Sequence, residues 1–425
     1  MTSFQARNVL LYTLVADLPP DNVDGHISKI WNFYYHFFID ENTLDMLLDQ
    51  CQRLIDLSVD VVAWNSSKYG TFLKFCTTHT LSALRRHWAL YLETKKLSKV
   101  EQDSLLRKFR KPDLPNDRKE AVSHTLTRSA GPLWLKLKDM GARQFERYWE
   151  TGVTFDDAKQ VAAANRINPT FAYSSMGLGF ELHYASDPLL SFHLAKALTP
   201  IKGSNSNEFA TISSLVKSAM VEFKTWCRSF NKRLKAQPAS LVLRFFSGDA
   251  LAFCRALHLC AVDNAVDTGV YAMPWSSALI NLDGGDYIPG ATPRAPLGFN
   301  VIDTSNLSDH LGLLNVLVSC RPLMQKTPSS ILHTDTLHLP TVRVDKSHEG
   351  FLELLCGDMS VLSMIFDIIP VSHASNFTSH SSMHEMVKSQ SHVQVSWRIC
   401  SLADPANFRS QTDRLTFDEI GRAHV

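Results

Sequence analysis

Seven side chains able to hydrogen bond or move a proton crowd the eight positions of Asp303-Thr-Ser-Asn-Leu-Ser-Asp-His310. Ser305 could act as a nucleophile, His310 as its base and an aspartate, Asp303 or Asp309, as the group that orients the base. The spacing speaks against that division of labour. No Gly-x-Ser-x-Gly elbow surrounds Ser305, and the sequence identifies no partner from a distant segment. The same residues have a local use. Asn306 can cap the helix that follows, while Asp309, three residues on, sets a carboxylate against its positive end, a capping box with Asp in the Glu position. Gly312 would let that helix approach a sheet.

Two other groups invite chemistry. In Ser247-Gly-Asp249 a glycine turn precedes a helix, and a helix amino end can hold an anion such as a phosphate or the carboxylate of a nucleoside cofactor. With no lysine and no longer glycine-rich loop, an ordinary strand-to-helix turn is the stronger reading. Four histidines, His373, His380, His384 and His392, fall close together, and His380 and His384 stand four apart with Glu385 beside them. A zinc or nickel site would need a steady helix there, and the Ser-rich surroundings give none; no metal is expected. Gly177-Leu-Gly179 lacks the third glycine of a dinucleotide fingerprint.

These residues need elements to position them. Phe299 to Ile302 reads as a short buried strand, and a helix apolar on nearly every face runs from the polar loop to Val318. Leu241-Val-Leu-Arg-Phe-Phe246, the Ser247-Gly-Asp249 turn and the helix Ala250 to Val262 repeat that design. Two strand–turn–helix units point to a parallel sheet with crossover helices, at whose strand ends ligands sit. Val270 to Met273 and Val393 to Ile399 read as further strands, Ile331 to Val344 as extended, and Gly350 to Ile369 as a helix. Upstream, helical spacing dominates. Ala6 to Val15 is a core helix; His26 to Leu57 makes two, broken near Asp40-Glu-Asn42; Thr71 to Thr94 makes another. Trp134 to Trp149 and Phe155 to Ile167 add two short ones. The pattern changes at Asn168-Pro169, beyond which come the alternating run Phe180 to Tyr184 and a long helix, Ile212 to Leu234. The expected division is a mostly helical region over 1–170, an α/β core with loop insertions over 171–418, and a tail over 419–425.

A chain of 425 residues can bury a large core. Its net charge of +1 exerts no bulk pull toward nucleic acid. Nine Lys or Arg lie between Glu93 and Lys119, but five Asp or Glu interleave with them. A solvated helix followed by the Pro112 and Pro115 linker accounts for that stretch better than a phosphate-binding surface. The eight cysteines are scattered without a Cys-x-x-Cys pair, as buried free thiols of a reducing compartment would be. No apolar run is long and uncharged enough to span a bilayer, and the apolar run after Arg7 is too short for a secretory leader. The expectation is a soluble protein of the cytoplasm or nucleus that binds neither nucleic acid nor membrane.

Taken together, Ala6-Arg-Asn, Ile30-Trp-Asn-Phe-Tyr-Tyr-His36, His183-Tyr-Ala-Ser-Asp-Pro-Leu189 with Phe192-His-Leu-Ala195, Asn300 to Gly312 and Leu355-Cys-Gly-Asp358 resemble an uncharacterised fungal family. That family carries the domain of unknown function found also in the amino-terminal half of the dynein axonemal assembly factor three family, often beside an MYND zinc finger. The resemblance runs along nearly the whole chain, and Asn300 to Gly312 is its most specific part. It implies a diverged Rossmann-type, methyltransferase-like fold, in which a Gly-Cys-Gly-Asp-like turn precedes the Ala-Arg-Asn helix. That turn and the MYND cysteines are absent from this sequence. Glu419 to Val425 is similar to the translation of a sequencing adapter, so a gene model truncated at both ends is expected, with a tail that packs against nothing. The missing cofactor turn, the capping account of the polar cluster and the lack of a complete catalytic set point to a non-catalytic interaction or scaffold protein with protein partners, on a degenerate methyltransferase-like core. The alternative is an S-adenosylmethionine-dependent methyltransferase with Asp303 to Asp309 on the substrate side of its cofactor.

Overall fold

The computed structural model describes residues 2–110, 129–174, 177–178, 188–189, 192–198, 212–237, 240–273, 275, 277–336, 353–375 and 393–400. The chain separates into two compact units, Met1–Ser247 and Gly248–Val425. Helices make most of the first: α1 (Thr2–Ala16), α2 (Val23–Tyr35), α3 (Glu41–Leu57), α4 (Val61–Ser66), α5 (Thr78–Leu92), α6 (Lys99–Arg110), α7 (Trp134–Thr151), α8 (Ala158–Ala163), α9 (Pro169–Ala172) and α10 (Ile212–Ala236). Amphipathic spacing explains their packing. In α3, Leu44, Leu47, Leu48, Cys51 and Leu54 recur at intervals of three and four residues, and all are buried. Asp40 starts that helix by accepting a hydrogen bond from the Thr43 N–H at 3.0 Å. Helix α1 packs on α2, α3, α5 and α10 and carries Arg7 into the interior. The guanidinium there lies 4.4 Å from the Phe171 ring and 5.2 Å from those of Phe4 and Tyr34. Burial lowers the Arg7 pKa, and the electron-rich ring faces offset part of the lost hydration.

The strands of this unit are short: β1 (Phe38–Ile39), β2 (Leu73–Phe75), β3 (Arg166–Ile167), β4 (Tyr173–Ser174), β5 (Gly177–Leu178) and β6 (Leu243–Phe245). They pair as β1–β3 and β4–β5, antiparallel, and β2–β6, parallel. Strand β2 corrects the helix expected over Thr71 to Thr94. Phe72 is buried in the turn just before the strand, Leu73 and Phe75 are buried within it, and the helix begins only at Thr78, where Thr77 Oγ1 accepts from the Thr80 N–H at 3.0 Å. A buried apolar run of this length carries no periodicity that tells strand from helix. Phe155 to Ile167 likewise resolves into α8 and β3. The sequence pattern changes near residue 170, yet β6 pairs with β2 in the register Leu73↔Leu243 and Phe75↔Phe245, which ties the chain up to Ser247 to the helical unit.

The second unit contains α11 (Ala250–Asp263), the antiparallel pair β7 (Asp267–Tyr271) and β8 (Leu279–Asn281), then β9 (Val301–Asp303), α12 (Leu307–Leu311), α13 (Leu313–Cys320), β10 (Ile331–Thr336), α14 (Met359–Phe366), β11 (Ile368–Pro370), α15 (Val371–Ser375) and β12 (Val393–Ile399). Four strands form one sheet in the order β11-β12-β10-β9. Only β9–β10 is parallel; β12 pairs antiparallel with both β10 and β11. Strand alternation sends Leu332, Val395, Trp397 and Ile399 to one face, where they form a core with Leu313, Val316 and Leu317 of α13. The helix expected from Gly350 to Ile369 is shorter. Asp358 caps α14, and Ile368 to Pro370 is strand β11.

Helices and sheets are thus mixed, with both parallel and antiparallel pairs, as an α/β class implies. The parallel sheet expected to join the two strand–turn–helix units does not form among the described residues. Strand β6 pairs with β2 and β9 with β10, so the two units lie in different sheets. The alternating residues of β12 make a returning strand that occupies the edge of β10 opposite β9. Among the described residues no helix is long and apolar enough to cross a membrane.

Candidate functional site

The Asp303–His310 loop follows β9 and is stitched to β10 along its length. The Thr304 N–H and Oγ1 both donate to the His333 carbonyl, at 3.0 and 3.1 Å, and the Asp335 N–H donates to the Ser305 carbonyl at 2.9 Å. Ser308 Oγ donates to the Asp335 carbonyl and lies 2.9 Å from Thr336 Oγ1. Thr304 and Ser308 are buried. Ser305 adopts a left-handed backbone, φ 47°, held as Asp303 Oδ1 accepts from its N–H at 2.8 Å.

Asn306 does occupy the cap position of α12, but its side chain makes no capping hydrogen bond, which corrects the capping-box expectation. Its Nδ2 lies 3.4 Å from His310 Nε2, one helical turn away. Asp309 stands in the first turn of α12, near the positive end. The single helix expected to run to Val318 is broken at Gly312, whose φ of 82° ends α12 and starts α13. Gly312 is therefore needed for its conformation rather than for close approach, because a Cβ there would meet only Asn315 Nδ2 at 3.6 Å.

Strand register brings together residues that the sequence keeps apart. Asp303 pairs with His333, and His333 with Ser396, so the three stand side by side on one face of β9, β10 and β12. His333 Nδ1 and Ser396 Oγ are 2.9 Å apart. A hydroxyl on an imidazole nitrogen is the pairing that activates a serine, but here the two are cross-strand neighbours whose contact follows from register alone. The only sequence signal for either partner is the alternation within β10 and β12.

Ser247 and Asp249 fall in different units. Ser247 lies just past the carboxyl end of β6, where its N–H donates to Thr80 Oγ1 at 3.0 Å and its Oγ lies 2.8 Å from Thr2 Oγ1. Thr77 and Thr80 complete a row of hydroxyls there, 2.9 Å apart. Asp249 caps α11, accepting from the Ala252 N–H at 2.8 Å, while its own N–H donates to the Ala272 carbonyl. The first unit also holds a cavity of about 250 Å³ walled by Glu41, Asp45, Lys95 and Arg166; neither Ser247, Asp249 nor any residue of the Asp303–His310 loop lines it. Among the described residues no cluster of His, Cys, Asp and Glu could hold a metal ion. His380, His384, His392, the run Phe180 to Tyr184, the Pro112 and Pro115 linker and the tail 419–425 lie outside the described residues. Compared with known proteins, the chain matches no family model, no curated protein and no solved structure.

Proposed function

We propose that this chain is a non-catalytic interaction or scaffold protein on a degenerate methyltransferase-like α/β core, of the kind its motifs resemble, acting on protein partners in the cytoplasm or nucleus. One observation carries this reading. The β7–β8 hairpin offers Tyr271, Met273, Trp275 and Leu279 to solvent, with Trp275 98% exposed. Clustered exposed aromatic and apolar side chains are what protein partners bury, whereas a folded monomer gains nothing by displaying them. The free cysteines suit a reducing compartment.

The alternative, an S-adenosylmethionine-dependent methyltransferase, draws support from the hydroxyls of Thr2, Thr77, Thr80 and Ser247 at the carboxyl ends of the parallel strands β2 and β6. These hydroxyls bond to one another, so a nucleoside would have to displace a pairing already made. The described residues therefore fit that cofactor poorly. Calorimetric titration of the full-length protein with S-adenosylmethionine separates the readings. No heat at millimolar ligand is expected; a saturable heat would refute the scaffold assignment.

A further inference from the structure

The cavity of about 250 Å³ in the first unit sets charged groups over an apolar floor. Helix α3 gives it Glu41, Leu44, Asp45 and Leu48, positions that fall on one helical face. Lys95, from the short turn Glu93–Lys96 after α5, Gln102 of α6 and Arg166 and Ile167 of β3 close the other sides. Leu44, Leu48 and Ile167 are buried, whereas Asp45 and Lys95 are exposed, so an apolar depth lies behind a charged mouth. We propose that this cavity binds a free apolar α-amino acid as its zwitterion.

The side chains around the cavity match both ends of such a molecule. Asp45 and Lys95 have no ion-pair or hydrogen-bond partner among the described residues. Arg166 donates through Nε to Glu41, which leaves its terminal nitrogens to donate elsewhere. Gln102 Nε2 donates to the Leu97 carbonyl at 3.1 Å, so Oε1 remains to accept; Thr94 Oγ1 donates to the Tyr91 carbonyl at 2.7 Å and keeps its lone pairs. An ammonium has three protons to donate, and Asp45, Gln102 and Thr94 supply three acceptors. The ligand carboxylate is met by Lys95 and Arg166. Once Glu41 and Arg166 have paired, one anion and one cation remain, and a ligand with a single charge would satisfy only one of them. The signs also interleave: the acceptor Thr94 adjoins Lys95, and Glu41 touches Arg166, which suits opposite charges on one carbon better than charges at two ends of a long chain. The volume falls just below the roughly 300–1,000 Å³ of pockets that hold larger ligands, as suits a single amino acid. The site asks nothing of the β7–β8 hairpin and stands or falls apart from the scaffold reading.

The test is calorimetric titration of the full chain with L-leucine and three analogues: L-leucinamide, which lacks the carboxylate, 4-methylpentanoate, which lacks the ammonium, and 6-aminohexanoate, an isomer of leucine with its charges far apart. Leucine should give a saturable heat, and each analogue should bind about tenfold or more weakly, since each loses or misplaces a charge-assisted hydrogen bond. Asp45→Asn and Lys95→Met, at exposed positions that folding does not depend on, should each weaken leucine by about tenfold. No heat from leucine at millimolar concentration overturns the proposal. So does binding of 4-methylpentanoate, leucinamide or 6-aminohexanoate as tight as that of leucine, or leucine affinity unchanged in both variants. The analogue series decides the matter on the wild-type protein alone.

Discussion

Acid should destabilise the first unit through one imidazole. His36 is fully buried at the end of α2, its ring set edge-on to Phe155 at 4.8 Å between centroids. Nε2 accepts from the Thr154 N–H at 3.1 Å, so the ring proton resides on Nδ1, which has no hydrogen-bond partner among the described groups. Protonation would place a second donor against the Thr154 N–H and a charge in an apolar site. Burial therefore lowers the pKa to about 3, against a partial opposing pull from Asp40. The unfolded chain, with an ordinary imidazole near 6.5, takes the proton first as pH falls. Stability from this group is thus fully present above pH 6.5 and is lost as pH falls toward 3. Linkage over that gap amounts to about 5 kcal/mol in full and about 2 kcal/mol between pH 8 and pH 5. Urea unfolding at both pH values, in wild type and in His36→Gln, isolates the effect. Gln can offer an amide oxygen to the Thr154 N–H and does not titrate, and all other ionisable groups are common to both proteins. The wild type should lose about 2 kcal/mol more than the variant between pH 8 and pH 5. Equal losses would refute the argument.

The loop makes opposite predictions for two of its residues. Ser308→Ala should cost about 1–3 kcal/mol in urea unfolding, because it removes the hydroxyl that bonds the part-buried Asp335 carbonyl and lies against the buried Thr336 hydroxyl. Asn306→Ala should change stability by less than about 0.5 kcal/mol, whereas a working cap would cost about 1 kcal/mol. Gly312→Ala should cost about 1–3 kcal/mol from backbone conformation alone, and Gly312→Asn should recover little of it, because φ 82° with ψ 137° lies outside the left-handed helical region that Asn tolerates. Trp275→Ser should leave the thermal midpoint nearly unchanged, since the side chain is almost wholly solvent-exposed; a fall of several degrees would show that it packs within the monomer.

What the sequence disclosed depended on where each residue finds its partner. Helices α2 and α3 and the break between them were legible because their signals, apolar spacing and the Asp40 cap, lie within a few residues of one another. Asp249 was legible as part of a strand-to-helix turn for the same reason. Strand β2 was not, because its identity rests on β6, far along the chain, and not on any local period. Gly312 was visible as a glycine but not as a left-handed break, since an apolar helix pattern continues smoothly on both sides of it. The polar loop shows the limit most clearly. Its density of hydrogen-bonding side chains was plain, and two local uses were open, a catalytic set and a capping box. Thr304 and Ser308 instead spend their hydroxyls on the carbonyls of His333 and Asp335, and Ser305 offers its carbonyl to the Asp335 N–H. Main-chain groups of a distant strand have no residue identity, so no motif search can find them. A polar cluster beside a parallel strand pair is therefore as much a sign of a loop clamped to its neighbour's backbone as of a reacting site, and Ser308→Ala tells the two apart by stability rather than activity.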